Sequence, residues 1–145
     1  MIYTYGKTSR ENRDTCAPPL IEVMELGLSR SPVDISIVRG WSGEDVQNML
    51  FRKGASTKEW PFSEHNFLLE GEPHSKAFDF APYVDEVKIP WEDTHLFAVV
   101  AGVFLSAAVE LGTKLRWGGD WDMDGLTTDQ SFMDWGHLEI EEYFV

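Results

Sequence analysis

The sequence predicts an α+β fold in which three or four mainly antiparallel strands carry the functional residues and helices pack behind them. Three observations indicate this class. Apolar residues recur at helical spacing near Leu20 and Leu96, they alternate with polar residues near Val33, and a long polar segment lies between the regular elements. With 145 residues, the chain is long enough for one domain with a single hydrophobic core.

The first third of the chain predicts a helix followed by a strand. Pro18 opens a run of apolar residues at the spacing of one helical face as far as Leu28, and Pro32 marks the exit. Residues 33–37 then alternate apolar and polar side chains, which is typical of a half-buried strand. Gly40 is expected to end this strand.

The middle of the chain predicts a second helix and then a largely irregular segment. Residues 42–45 can cap a helix that runs through Phe51 and stops at Gly54. Residues 55–90 are polar, aromatic or rich in Pro and Gly, so we expect loops with one short strand at 77–81. Active-site residues are commonly carried on such segments.

The last part predicts the longest helix and two further strands. The helix is announced by Asp93, runs to about Leu111 and ends at Gly112. Its apolar surface is continuous, so we expect it to be buried in the core. The apolar run is too short to span a bilayer, so membrane insertion is not expected. Residues 115–117 and 138–140 predict strands on either side of an acidic loop.

Composition restricts the partners of the chain. Twenty-five acidic residues against 12 basic ones give a net charge of −13, and no basic cluster offsets it, so nucleic acid is excluded as a partner. Cys16 is the one cysteine, so neither an intramolecular disulfide nor a cysteine-based zinc site can form. Residues 1–13 lack the apolar stretch of a secretory signal, which predicts synthesis in a cytoplasm without export.

Three residues from separate segments have the chemistry of a catalytic metal site. A catalytic zinc ion uses three protein ligands and keeps one position open for water or substrate. His65, Asp79 and His137 can supply such ligands. Their spacing alone is weak evidence, because most histidines in a chain of this length are surface residues or satisfied core residues.

The strings around these residues are more specific. They read S-E-H at 63–65, S-K-A-F-D at 75–79 and D-W-G-H-L-E at 134–139. In combination they resemble the Hedgehog/D-Ala-D-Ala group of zinc peptidases, which includes VanY-like enzymes. Within that group they are similar to phage endolysins that act as L-alanyl-D-glutamate endopeptidases. The resemblance spans about residues 20–140 and implies a small, mainly antiparallel sheet that carries the zinc site.

The resemblance also implies a role for each site residue. His65, Asp79 and His137 would bind zinc, and Asp134 would act as the general base that takes a proton from the metal-activated water and returns it to the leaving amine. Glu139 is expected on the same strand face as His137, in a supporting position.

One departure from the family concerns the first histidine. Fourteen positions separate His65 from Asp79, more than in the family, as if residues 67–73 were an insertion. His74, five positions before Asp79, is therefore a rival ligand. The S-x-H context favours His65.

A second departure concerns the arginine that the family uses to hold the substrate. The family string G-x-R-S reads Gly-Trp-Ser-Gly here, so Ser42 stands at the arginine position and Gln47 follows it. Arg39 could reach the site from the end of the strand as a substrate-binding residue, or it could be a solvated surface cation.

The acidic loop has two interpretations. Asp120, Asp122 and Asp124 followed by Gly125 provide the alternate oxygen ligands and the sharp turn of a calcium loop, and related endolysins respond to calcium. However, Ser131 occupies the position of the bidentate glutamate in an EF-hand, which favours a weak calcium site at most. Alternatively, these aspartates bind backbone amides of a polar loop.

The predicted function is a zinc-dependent peptidoglycan endopeptidase that cuts stem peptides at L-Ala-D-Glu during phage lysis. We expect a monomer with one domain over residues 1–145 and no separate cell-wall-binding module. The enzyme would wait in the host cytoplasm until a holin-like protein gives it access to the periplasm and the wall. Two alternatives stay open: a D-Ala-D-Ala carboxypeptidase or dipeptidase, and a non-catalytic metal-binding module that has lost the substrate arginine.

Overall fold

The computed structural model describes residues 3–140 and confirms an α+β architecture. The helices are α1 (Lys7–Arg13), α2 (Pro18–Ser29), α3 (Glu44–Arg52) and α4 (Thr94–Leu111), with a single 3-10 turn at Glu64–Asn66. The strands are β1 (Asp34–Arg39), β2 (Leu68–Leu69), β3 (Glu72–Pro73), β4 (Ala77–Tyr83), β5 (Leu115–Trp117) and β6 (His137–Ile140).

Four strands form one antiparallel sheet, as the sequence predicts, and the structure gives their order as β1-β4-β6-β5. β4 lies between β1 and β6, and its Asp79 is the pairing partner of both Arg39 on β1 and His137 on β6. Residues that pair directly across antiparallel strands project from the same face of a sheet. The register therefore brings these three side chains into one row, although they are up to 98 positions apart in the chain.

Helices α2 and α4 pack together, and α4 packs against β4 of the sheet. The Phe104 ring of α4 makes edge contacts with Phe78 and Phe80 of β4, at centroid distances of 5.2 and 5.4 Å. Gly27 of α2 permits this packing, because a methyl group there would lie 2.6 Å from the Phe104 ring. These contacts anchor β4, the strand that carries Asp79, to the hydrophobic core.

The burial of α4 differs from the expectation. Phe97, Val100 and Phe104 are buried, but Val99 is 47% exposed and Val109 is 82% exposed. The helix forms an outer layer, so only one of its faces can contact the sheet and α2. Within the described residues α4 is the one helix with the length and hydropathy of a membrane span, and its buried face belongs to the core of this domain.

Helix α1 is absent from the sequence prediction. It packs on the edge strand through polar side chains: the Ile37 amide donates to Ser9 Oγ at 3.0 Å, and Asn12 Nδ2 donates to the Ile37 carbonyl at 2.8 Å. These bonds satisfy backbone groups that an edge strand leaves open. Since α1 binds by hydrogen bonds, its sequence shows no apolar periodicity.

Two local predictions in the middle of the chain need correction. α3 begins after Gly43 without any side-chain cap, so Ser42 does not cap it. Its hydroxyl instead accepts a hydrogen bond from Arg39. The segment expected to be loop contains the β2–β3 hairpin, and the strand predicted at 77–81 continues to Tyr83.

Candidate metal centre

Three side chains converge at the row where β4 and β6 pair. His65 Nε2 and His137 Nδ1 lie 3.2 and 3.0 Å from Asp79 Oδ1, and the two nitrogens lie 3.2 Å from each other. His65 and His137 are buried, and Asp79 is half-buried. Two imidazole nitrogens and one carboxylate oxygen that face a common point could hold a metal ion.

The 3-10 turn fixes His65. Ser63 Oγ accepts the His65 amide, and Asn66 Oδ1 accepts the Ser63 amide, which closes a capping box around the turn. His65 Nδ1 lies 2.7 Å from the Gly40 carbonyl. Because a carbonyl can only accept, Nδ1 carries the proton and the lone pair of Nε2 points to Asp79.

His137 is fixed by a chain of charged partners. Its Nε2 lies 2.8 Å from Glu139 Oε1, and Glu139 Oε2 accepts a hydrogen bond from Arg116 at 2.7 Å. Since a carboxylate accepts, Nε2 donates and Nδ1 is left to face the metal position. Trp121 packs against both residues. Its ring centroid lies 5.6 Å from that of His137 and 5.8 Å from the Arg116 guanidinium carbon. Glu139 thus stands beside His137, as expected.

His74 is not brought to this cluster. It follows β3, where its amide donates to the Phe67 carbonyl, and it does not belong to the His65, Asp79 and His137 group. The additional residues between His65 and Asp79 form the β2–β3 hairpin, whose flanking residues Phe67 and His74 are hydrogen-bonded to each other. The length of the insertion therefore does not separate His65 from Asp79, and the geometry favours His65 as the ligand.

The charges of the cluster suit a metal ligand set. Burial opposes ionisation of Asp79, but His65 and His137 outweigh it and hold the pKa of this carboxyl well below its ordinary range. Burial likewise disfavours the protonated form of His137, yet hydrogen bonds to Asp79 and Glu139 raise its pKa to about 10. Burial lowers the pKa of His65. A cation at this place would replace the proton that His137 holds.

Asp134 lines the cavity that opens over the three clustered side chains. Its amide donates to the Gly118 carbonyl at 2.9 Å, and a methyl group on Gly118 would overlap the Asp134 backbone. Burial, followed by repulsion from Asp79, raises the pKa of Asp134 to about 6. A half-buried carboxyl that titrates near neutral pH has the property of a general base.

Arg39 enters the site from the end of β1. Its Nε donates to Ser42 Oγ at 2.6 Å and one terminal nitrogen donates to Gln47 Oε1 at 2.7 Å, while the other lies 3.5 Å from Asp79 Oδ2. The Arg39 side chain is only 19% exposed. Of the two interpretations left open by the sequence, the structure therefore excludes a solvated surface cation.

The acidic loop keeps both of its interpretations. Ligand atoms of Asp120, Asp122 and Asp124 lie within 4.8 Å of one another and could hold a metal ion. The same carboxylates also accept loop amides: Asp120 Oδ2 accepts the Gly125 amide at 2.8 Å, and Asp124 Oδ1 accepts the Leu126 amide at 2.8 Å. The loop is thus held together by its own hydrogen bonds.

A cavity of about 460 Å³ opens over the cluster. Its lining includes Arg39, His65, Asp134 and His137, together with Lys58 and Arg116, which the sequence analysis missed. Arg116 could have been found, because it pairs with Glu139 across β5 and β6 as opposite charges on neighbouring strands. The loop that carries Lys58 has no sequence signal for its position.

Comparisons of sequence and structure with known proteins agree with one another. A family model described as phage L-alanyl-D-glutamate peptidase matches residues 1–141. The L-alanyl-D-glutamate peptidase of Escherichia phage T5 is 34% identical, in an alignment that covers 97% of this chain and 99% of that protein. The crystal structure of Serratia marcescens L-Ala D-Glu endopeptidase ChiX aligns with a TM-score of 0.73 and 25% identity, covering 96% of this chain and 90% of that one.

Proposed function

The chain belongs to the phage L-alanyl-D-glutamate peptidase family, and we propose that its cleavage of peptidoglycan stem peptides depends on zinc. The observation that carries this proposal is the convergence of His65 Nε2, Asp79 Oδ1 and His137 Nδ1 within 3.2 Å. Two nitrogens and one oxygen are a ligand set that zinc accepts while it keeps a fourth position open. Hydrogen bonds on the far side of each imidazole orient His65 Nε2 and His137 Nδ1 toward the metal position.

Asp134 is the proposed general base. Zinc bound by the three ligands would lower the pKa of a water molecule to about 7. The Asp134 carboxylate would accept the proton of that water as its oxygen adds to the carbonyl carbon of L-alanine. It would deliver the same proton to the departing amine of D-glutamate when the peptide bond breaks. Its half-buried position on the cavity wall supports this role, because a carboxylate shielded from water is a stronger base than a solvated one.

Arg39 is proposed to do the work of the arginine that the family places at position 42. Its guanidinium lies beside Asp79 and lines the cavity, with Ser42 and Gln47 as its anchors. From there it can donate to the carbonyl oxygen on which negative charge develops. The non-catalytic alternative rested on the missing arginine, and the position of Arg39 removes that ground. The named relatives favour L-Ala-D-Glu over D-Ala-D-Ala cleavage.

The biological setting follows the same proposal. We propose a monomer that reaches the cell wall through a holin-like protein and acts there on the stem peptide.

Metal analysis combined with product analysis tests the function. Purified muropeptides should be cut between L-alanine and D-glutamate, as read by mass spectrometry, and the protein should contain one zinc ion. Asp134→Ala should keep zinc and lose hydrolysis, whereas His137→Ala should lose both. His74→Ala is the matched control and should keep both. Retained zinc in the His137 variant would refute the ligand assignment, and cleavage elsewhere in the stem would refute the bond assignment.

A further inference from the structure

Three cationic side chains line the cavity, and two of them are occupied by the protein itself. Arg39 is bound to Ser42, Gln47 and Asp79. Arg116 is bound to Glu139 at 2.7 Å. Both guanidiniums are therefore held in place by ion pairs with carboxylates of the sheet.

Lys58 differs from these two arginines. It is exposed at the cavity, and within residues 3–140 its ammonium group forms no ion pair. Two of the four acidic residues in the lining have cationic partners of their own: Glu64 pairs with Lys76 at 3.3 Å, and Glu139 pairs with Arg116. Lys58 is thus a cation of the cavity whose charge the described part of the protein does not neutralise.

The backbone of Lys58 is nevertheless held firmly. Gln47 is completely buried, and its Nε2 donates to the Lys58 carbonyl at 2.6 Å and to Ser56 Oγ at 3.0 Å. The Lys58 amide in turn donates to Ser56 Oγ at 3.1 Å. Because the Oε1 atom of the same Gln47 accepts from Arg39, one buried carboxamide sets the position of Lys58 relative to the metal cluster. The backbone of Lys58 is thus fixed by hydrogen bonds, whereas its ammonium group forms no ion pair within residues 3–140.

The substrate supplies the matching charge, if the proposed function holds. A glutamate residue has two carboxyl groups, and only one of them can continue the peptide beyond the bond that is cut. The other is a free carboxylate on the leaving side of that bond. We propose that Lys58 binds this free carboxylate and thereby selects stem peptides in which it is not amidated. A local cation has particular value here, because the net charge of −13 repels an anionic substrate.

Two synthetic stem peptides that differ in one group test the proposal. One carries D-glutamate, and the other carries D-isoglutamine, in which the free carboxylate is an amide. We expect the wild-type enzyme to favour the acid by about tenfold in kcat/KM, the lower range for a hydrogen bond to a charged group. Lys58→Met should abolish this preference, because the KM for the acid peptide should rise. Lys58→Arg should retain it.

Lys53→Met is the matched control. Lys53 is also exposed and its replacement also removes one positive charge, but it caps the end of α3 and does not line the cavity. This variant should keep the preference for the acid. Equal cleavage of both peptides by the wild type, or an unchanged preference in Lys58→Met, would overturn the proposal. Cleavage of neither peptide would instead overturn the proposed function, and this inference with it.

Discussion

Replacing Asp134 by asparagine should stabilise the metal-free protein while it removes catalysis. Burial and the neighbouring Asp79 raise the pKa of Asp134 from an ordinary 3.8 to about 6. At 1.36 kcal/mol per pKa unit, ionised Asp134 lowers the free energy of unfolding by about 3 kcal/mol at pH 8. Asparagine has nearly the same shape and carries no charge, so it escapes this penalty.

The effect should depend on pH in a defined direction. The folded state holds the Asp134 proton more tightly than the unfolded state does, so the free energy of unfolding falls as the pH rises from about 4 to above 6. At pH 5 the folded carboxyl is mostly protonated, and the penalty shrinks to about half, roughly 1.6 kcal/mol. The advantage of the asparagine variant should shrink in the same proportion.

Thermal unfolding of chelator-treated protein at pH 8 and pH 5 measures this difference. For a chain of this size 1 kcal/mol corresponds to about 2–4 °C, so Asp134→Asn should melt about 6–12 °C above the wild type at pH 8 and about half as far above it at pH 5. Asp85→Asn is a suitable control, because Asp85 is exposed and lies outside the cavity. It should leave the melting temperature unchanged.

Zinc binding gives an independent check on whether the Asp134 charge destabilises the metal-free protein. A dication beside Asp134 attracts the carboxylate, so the advantage of the asparagine variant should diminish or reverse once zinc is bound. If metal-free Asp134→Asn melts at or below the wild-type temperature at pH 8, Asp134 does not carry a buried, repelled charge. The assignment of its raised pKa to burial and Asp79 would then be wrong.

Four further predictions concern residues around the cluster. Glu139→Gln weakens the charged support of the metal-bound imidazole and should reduce zinc affinity about 10- to 100-fold, measured by competition with a chelator. Arg39→Lys replaces a fork of donors by one ammonium and should lower kcat about 100-fold with zinc content unchanged; undiminished turnover would exclude Arg39 from catalysis. Gly118→Ala forces a methyl group against the Asp134 backbone, and should cost about 1–3 kcal/mol in the free energy of unfolding and also lower kcat. Calcium titration followed by tryptophan fluorescence should respond only in the millimolar range and should become flat in Asp122→Asn, whereas a flat response in the wild type would remove the calcium interpretation.

The regular elements were predictable where their apolar faces are periodic. The helix beginning at Pro18, the strand before Gly40 and the strands of the last third all lie where their side-chain patterns place them. Helix α1 escaped prediction because it binds an edge strand with Ser9 and Asn12, which leave no apolar period. The exposed face of α4 escaped as well. A helix that is apolar all round does not reveal in its sequence which side the rest of the chain covers.

The sequence by itself determined the family and the candidate metal ligands, because the motifs are short strings in which each candidate ligand is read together with its neighbours. Only the tertiary structure decided which of those residues lie together. Strand register places Arg39, Asp79 and His137 in one row, and the β2–β3 hairpin returns the chain so that His65 completes the cluster in place of His74. Such contacts depend on pairing between distant segments, and local residue patterns carry no record of that pairing.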